Sequence, residues 1–343
     1  MRKISVFTAG VLALAVNVSC GSAGKKSAGS FFVTRTQVHM GTFISVSIPD
    51  DQVAHVDSVF NVFREMDAYL SSYKDTAEIA RINEAGGGEL SSPTEQCLRL
   101  ALFVAEDTDG YFDPTIGALT LDLYKFGRGG NRNPSAQEIA QARKKVGYQK
   151  MKIDGTQVKL APGMKLDLGG IGKGFAVDAA AARLRSEGVN SAVIAASGDI
   201  RCLHACQTAI ADPRDSAKKL AIFTAAGEEF SISTSGVSER RGPGDIHHLL
   251  EPATGRSQQT FLSVTLVSQG GNALLDGVAT AVSLMPEAKA LEYLKRRPHL
   301  GYVLVTRKNE LLYNTRFQEA VTDLRWLNNT DFKIRHVASR NEN

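Results

Sequence analysis

The chain has little surplus charge. Its 343 residues carry 40 Lys and Arg against 36 Asp and Glu, a formal net charge of +4. Arg2 and Lys3 supply two of those charges, so 4 − 2 leaves about +2 on the remainder, too weak a field to imply nucleic acid as a partner. A long apolar run is missing too, since Val6–Val18 falls short of the ~20 residues that span a bilayer. Familiar nucleotide and hydrolase signatures are absent. GGIGKG at 169–174 fits neither GxGxxG nor GxxxxGK[ST], which leaves the Rossmann and P-loop mechanisms without support. Ser235 sits in Thr-Ser-Gly with no GxSxG elbow around it. No clean repeat is present. Cys202-Leu-His204-Ala-Cys206 resembles half of a metal site, but no second matching cluster completes it.

What is there begins with a processing signal. Arg2 and Lys3, the apolar run, then small residues and Cys20 read as an export signal over 1–20. Cys20 stands where a bacterial lipoprotein signal is cut and the new N-terminal cysteine lipidated, although Asn17 is unusual three places upstream. An ordinary signal cleaved a few residues later is the alternative. The predicted location is exported and periplasmic, with membrane contact through a lipidated N-terminus. Residues 21–33 are expected as a tether, rich at first in Ser, Gly and Lys. Residues 34–320 are expected as the folded domain, in one body or two subdomains, and 321–343 as a C-terminal extension. Of the remaining cysteines, Cys202 and Cys206 are placed for a local disulfide, with Cys97 the odd, buried one.

The periodicities predict a mixed α+β fold. Phe43–Ile48 alternates as a strand after a Met40-Gly41 turn, and Val53–Leu70 has helical spacing with Asp51 available as a cap. Helices are also predicted over 93–107, 137–146, 176–187 and 272–285. Strands are predicted over 191–196, 207–211, 220–225, 229–233 and 261–268. Met151–Leu160 reads as a hairpin around Asp154-Gly155, and 301–307 with 311–315 as a final one. The 110–133 stretch reads as loop, and Thr234-Ser235-Gly236 as the start of another, ending near Pro252.

The chemistry-bearing residues centre on Leu166–Gly174. Glycines bring backbone amides close to a ligand, and a helix start presents N–H groups suited to phosphate, with Lys173 adding a point charge. Asp276 and Thr280 are one helical turn apart on one face and offer hard oxygens suited to Mg²⁺; a buried Asp–Thr hydrogen bond is the plainer reading. Asp167 suits a ring N–H, a ribose hydroxyl or simply the glycine turn itself. His247 and His248 lie in a loop, and on extended backbone only one can face a given cleft. Such an imidazole can take a proton from a hydroxyl nucleophile, or bond a loop carbonyl structurally. Arg201 suits a phosphate or a neighbouring carboxylate, and Arg240-Arg241 a solvated surface.

Taken together, the motifs resemble the ApbE family of FAD:protein FMN transferases, over about 36–315. The matching pieces are HMGT at 39–42, SSYKDTAEIARIN at 71–83, GYFDPTIGAL at 110–119, KFG at 125–127 and LDLGGIGKGFAVD at 166–178. SGDIR at 197–201, ISTSG at 232–236, HHLLEPATG at 247–255, SVTLVS at 263–268 and LLDGVATAV at 274–282 continue in the family's order. The resemblance implies an ApbE-like fold with antiparallel-rich sheets, packed helices and a central flavin cleft. It implies FAD contacts at Met40, Tyr73, Tyr111, Phe112, Asp113, Asp167, Lys173 and His247. It further implies Mg²⁺ held by Asp276, Thr280 and a backbone oxygen at Gly170, with Gly172 the other candidate. His248 is then the general base for a threonine or serine hydroxyl of an exported client flavoprotein, which takes FMN and releases AMP. FAD pyrophosphatase activity and non-catalytic flavin binding are the alternatives. Departures from the family pattern are Glu251 for Asp, Leu275 and Gly277 for small alanines, the Cys202/Cys206 pair, and Tyr124-Lys125 for Trp-Gly.

Overall fold

Alternation of side chains along extended backbone divides this molecule into two cores. In the computed structural model, which describes residues 31–126, 132–237, 245–327 and 331–338, consecutive residues of one strand point into different cores. Ile194 and Ala196 face one, while Val193 and Ala195 face the other.

The chain starts with a hairpin of β1 (Phe32–His39) and β2 (Thr42–Pro49) across the Met40-Gly41 turn. β1 occupies two residues of the expected tether. A 3-10 turn over Asp50–His55 then leads into α1 (Val56–Leu70). The helix therefore starts three residues later than predicted, and Asp51 lies in the preceding turn instead of capping it. Next come α2 (Glu78–Ala85), β3 (Gly87–Glu89) and α3 (Ser92–Asp107). The stretch expected as loop contains a π-helical turn, Ala118–Leu123, with five of its six side chains buried. After α4 (Ala136–Arg143), β4 (Lys152–Asp154) and β5 (Gln157–Lys159) form the predicted hairpin, with β3 added on its other side.

α5 (Gly172–Ser186) begins inside the glycine segment, four residues earlier than predicted. β6 (Val193–Ala196), β7 (Asp199–Cys202), β8 (Cys206–Asp212), β9 (Asp215–Ala225) and β10 (Phe230–Gly236) follow. β10 runs through Thr234-Ser235-Gly236, which the sequence suggested as loop, because those residues pair with Ser263–Thr265. β11 (Phe261–Ser268), α6 (Asn272–Ser283), α7 (Glu287–Lys295), β12 (Gly301–Thr306) and β13 (Glu310–Asn314) complete the predicted region. α7 was not anticipated.

The C-terminal segment is sheet. After α8 (Thr315–Ala320), β14 (Val321–Trp326) pairs with β9, and β15 (Lys333–Val337) runs parallel to β13. The expected extension thus adds a strand to each of two sheets, and the 301–314 hairpin is not the last element. The main sheet has nine strands in the order β1-β2-β6-β7-β10-β11-β12-β13-β15, antiparallel except for its last pair. One face packs on α1, α3, α5 and α6 through residues such as Phe60, Phe63, Leu98 and Leu184. The other packs on the three-stranded sheet β14-β9-β8 through Phe223, Phe230 and Phe317. Each fully buried side chain of this size stabilises by ~1.5–3 kcal/mol. Cys202 and Cys206 form a disulfide between β7 of the large sheet and β8 of the small one, and Cys97 is buried and free. Among the described residues no helix is long and apolar enough to cross a membrane. The export signal, Cys20, most of the tether, Gly127 and Arg240-Arg241 lie outside the described residues.

Candidate active site

The glycine segment is shaped by the two helices it joins. Gly174 N–H, in the first turn of α5, donates to Asp276 Oδ2 of α6 at 3.0 Å. In return, Asp178 of α5 accepts from Asn272 N and Ala273 N, the first amides of α6, both at 2.8 Å. Each helix thus presents a carboxylate to the positive end of the other. Burial raises the Asp178 carboxyl above its ordinary pKa, against the pull of those two amides. The helices approach closely only because residue 174 is glycine: a Cβ there would lie 2.6 Å from Asn272 O and 2.7 Å from Asp276 Cβ.

Beside this contact opens a cavity of about 330 Å³. Met40, Tyr73, Phe112, Asp113, Asp167, Gly170, Lys173, His248, Asp276 and Thr280 all line it. Ten of the twelve residues expected at the site are therefore brought together. Its polar lining includes Gly170, Lys173, Ser235, Asp276 and Thr280, and its apolar lining Met40, Phe112, Phe126, Leu249 and Leu284. The two interleave: a Cβ on Gly170 would lie 3.3 Å from Phe112 Cε2 and 3.0 Å from Thr280.

Within the lining Thr280 Oγ1 donates to Gly170 O at 3.2 Å and lies 3.3 Å from Ser235 Oγ. Gly170, not Gly172, supplies the carbonyl next to Thr280. The plain Asp276–Thr280 hydrogen bond is not what this geometry contains, since Asp276 accepts from Gly174 N and Thr280 turns to the carbonyl. A Cβ on residue 170 would come within 3.0 Å of Thr280 Oγ1, so glycine keeps this corner open. One carboxylate, one hydroxyl and one carbonyl converge, a set of hard oxygens that fits Mg²⁺. The Lys173 ammonium stands 3.0 Å from Asp199 Oδ2 and 3.7 Å from Asp276 Oδ2.

Asp167 and Asp113 hold the frame. Asp167 accepts from Thr120 Oγ1 at 2.6 Å and Gly169 N at 3.0 Å, tying the π-helical turn to the glycine segment. Asp113 accepts from Thr115 N, Thr115 Oγ1 and Tyr148 N, and burial raises its pKa despite these bonds. Elsewhere in the lining Met40 and Ser197 adopt left-handed backbone with φ of 50° and 58°. Non-glycine residues pay about 1–3 kcal/mol for sparsely populated backbone, which persists where the surroundings demand it.

The two histidines diverge. His248 faces the cavity. His247, expected in the pocket, is turned to the other side of its loop, where it is 2% exposed and its Nε2–H donates to Gln258 O at 2.9 Å. Alternation along the extended segment, pinned by the Leu250–Ser257 bridge, gives the two rings opposite directions. Tyr111 is likewise displaced from the lining; it packs toward Val237, Leu249 and Leu284, with Lys289 Nζ 5.6 Å from its ring centre. Glu251 folds into its own turn, accepting from Thr254 Oγ1 at 3.0 Å. Arg201 pairs with Glu229 and Ser231, away from the cavity. Sequence reasoning missed Asp199, Ser233 and Thr120, which act through Lys173 and Asp167. Only the SGD that precedes Arg201 hinted at the first of them.

Known proteins share the sequence pattern and the fold of this chain. A FAD:protein FMN transferase of Haemophilus influenzae is 24% identical over 339 residues, covering 90% of this chain and 95% of the relative. One from Treponema pallidum is 26% identical over 305 residues, covering 79% and 84%. Among solved structures, an ApbE protein from Thermotoga maritima superposes with a TM-score of 0.77 at 25% identity, covering 84% of this chain and 99% of its own. The flavin transferase ApbE of Vibrio cholerae shares the fold with a TM-score of 0.74 at 22% identity, covering 85% and 100%. The ApbE family model matches residues 40–304, the span that contains both walls of the cavity, and the chain belongs to the ApbE family.

Proposed function

We propose that this protein is an FAD:protein FMN transferase that attaches FMN through a phosphoester to a threonine, less often a serine, of an exported client flavoprotein. The observation that carries the reading is the meeting of His248, Lys173, Asp276 and Thr280 on one cavity that is also lined by Met40, Phe112 and Phe126, which suit a ring system. The names of its relatives point the same way.

In this reading the isoalloxazine lies among Met40, Phe112 and Phe126, and the pyrophosphate meets the start of α5. His248 takes the proton of the client hydroxyl. The freed oxygen attacks the FMN-side phosphorus, a new P–O bond forms, the pyrophosphate P–O bond breaks, and AMP leaves with the electron pair. Gly170 O, Asp276 and Thr280 would hold Mg²⁺, which when bound supplies charge neutralisation at the pyrophosphate oxygens. Lys173 adds a second positive charge on the same side. Periplasmic location and anchoring through a lipidated Cys20 belong to the same proposal; Cys20→Ala should abolish incorporation of labelled palmitate.

The decisive experiment incubates the protein with FAD, Mg²⁺ and a threonine-bearing client fragment. A client mass increase equal to FMN is expected. His248→Ala should still bind FAD while transfer falls at least ~100-fold. Free FMN with an unlabelled client would reassign the chain as an FAD pyrophosphatase, and FAD left intact would make it a flavin-binding protein without turnover.

A further inference from the structure

Lys173 faces two carboxylates that water barely reaches. The Asp199 side chain is 1% exposed and that of Asp276 3%. The ammonium is nearer to Asp199, at 3.0 Å against 3.7 Å. Asp199 is itself fixed, since Ser233 Oγ of β10 donates to its Oδ1 at 2.6 Å. The β7 entry is locked against β10, where a Cβ on Gly198 would lie 2.5 Å from Thr234 O. Asp199 is not among the cavity-lining residues, and it meets the lining through its ion pair with Lys173.

An ammonium and a divalent cation compete for the same carboxylate. Two desolvated carboxylates beside one lysine leave a net negative charge that favours a further cation. We propose that Asp199 is a positioning residue that draws the Lys173 ammonium toward itself and thereby leaves the Asp276 carboxylate to a divalent cation. This rests on the reading of Gly170, Asp276 and Thr280 as the cation's oxygens. The charge of Lys173 stays in the site for an anionic substrate without closing the metal position.

The proposal makes two substitutions act in opposite directions. Asp199→Asn keeps the shape but removes the charge, so the ammonium shifts its weight to Asp276 and cation binding weakens. Lys173→Met removes the competitor and leaves both carboxylates uncompensated, so cation binding strengthens. A merely structural role for Asp199 would not produce this opposition.

The test is Mn²⁺ binding to the full-length, nucleotide-free protein, read from the electron paramagnetic resonance signal of free Mn²⁺. Asp199→Asn should raise the Kd roughly tenfold, Lys173→Met should lower it several-fold, and the double variant should match Lys173→Met, since Asp199 acts through the lysine. Asp199→Glu should recover part of the loss. An unchanged Kd in Asp199→Asn, or shifts of the same sign in both single variants, would overturn the proposal. Should Asp199→Asn fail to fold, Ser233→Ala keeps both carboxylates and releases only the tether on Asp199. It should raise the Kd roughly two- to threefold, and no change would be equally fatal. Wild type that transfers FMN and binds Mn²⁺ while Asp199→Asn binds it equally well sinks this inference alone. Opposite shifts in a protein that transfers no FMN sink the transferase reading alone. A wild type without Mn²⁺ binding sinks the cation site and this inference together.

Discussion

The polar and apolar linings of the cavity are built by different means. The polar lining comes from backbone and side chains around two mutually capped helices, and Gly170 and Gly174 leave no room for adjustment. In the apolar lining Met40, Phe112, Phe126 and Leu284 arrive from a hairpin turn, two loop segments and the end of α6. One lining is fixed by hydrogen bonds of 2.8 to 3.3 Å and the other by fit of apolar surface. In the proposed reading the first sets the positions of the reacting groups and the second the affinity for the ring system.

Substitutions in each lining can break that division. The largest effect is expected from Asp276→Ala, which removes the single carboxylate of the oxygen set and the acceptor of Gly174 N. Transfer should fall by at least ~100-fold or lose its response to Mg²⁺. Normal Mg²⁺-dependent rates would dissolve the distinction between the two linings. Phe126→Ala should act on affinity, weakening FAD binding by roughly tenfold in a fluorescence titration while the rate at saturating FAD stays within ~3-fold. A collapse of that rate would show that the apolar wall also positions the reacting atoms. The smallest effect belongs to a pair outside the cavity lining. Reducing the Cys202–Cys206 bond, which closes a loop of sequence separation 4, should lower stability by about 2 kcal/mol in denaturant melts and leave transfer unchanged.

Legibility followed the same division. LDLGGIGKG and the Asp276/Thr280 pair could be read because their residues are local in sequence, and helical spacing alone puts the pair on one face. Asp199 and Thr120 could not, because their partners are 26 and 47 positions away and only folding brings them together. The start of α5 was misplaced because glycine is a poor helix former, and here close packing against α6 outweighs propensity. β1 escaped notice because Thr34–Val38 are all exposed and carry no apolar alternation. β14 and β15 were hidden for a similar reason: each is an edge strand with few buried positions. The direction of His247 depended on the Leu250–Ser257 bridge, which no local pattern announces.

Gly174 bears on how this protein can change over generations. Any side chain at 174 meets Asn272 and Asp276 at once, so accepting one would require a coordinated shift of a second helix. Single substitutions have no path through that contact, whereas the hairpin turn and loops of the apolar wall can drift one residue at a time. Lineages descended from this chain should therefore diversify along the apolar lining and stay uniform at the contact of the two helices.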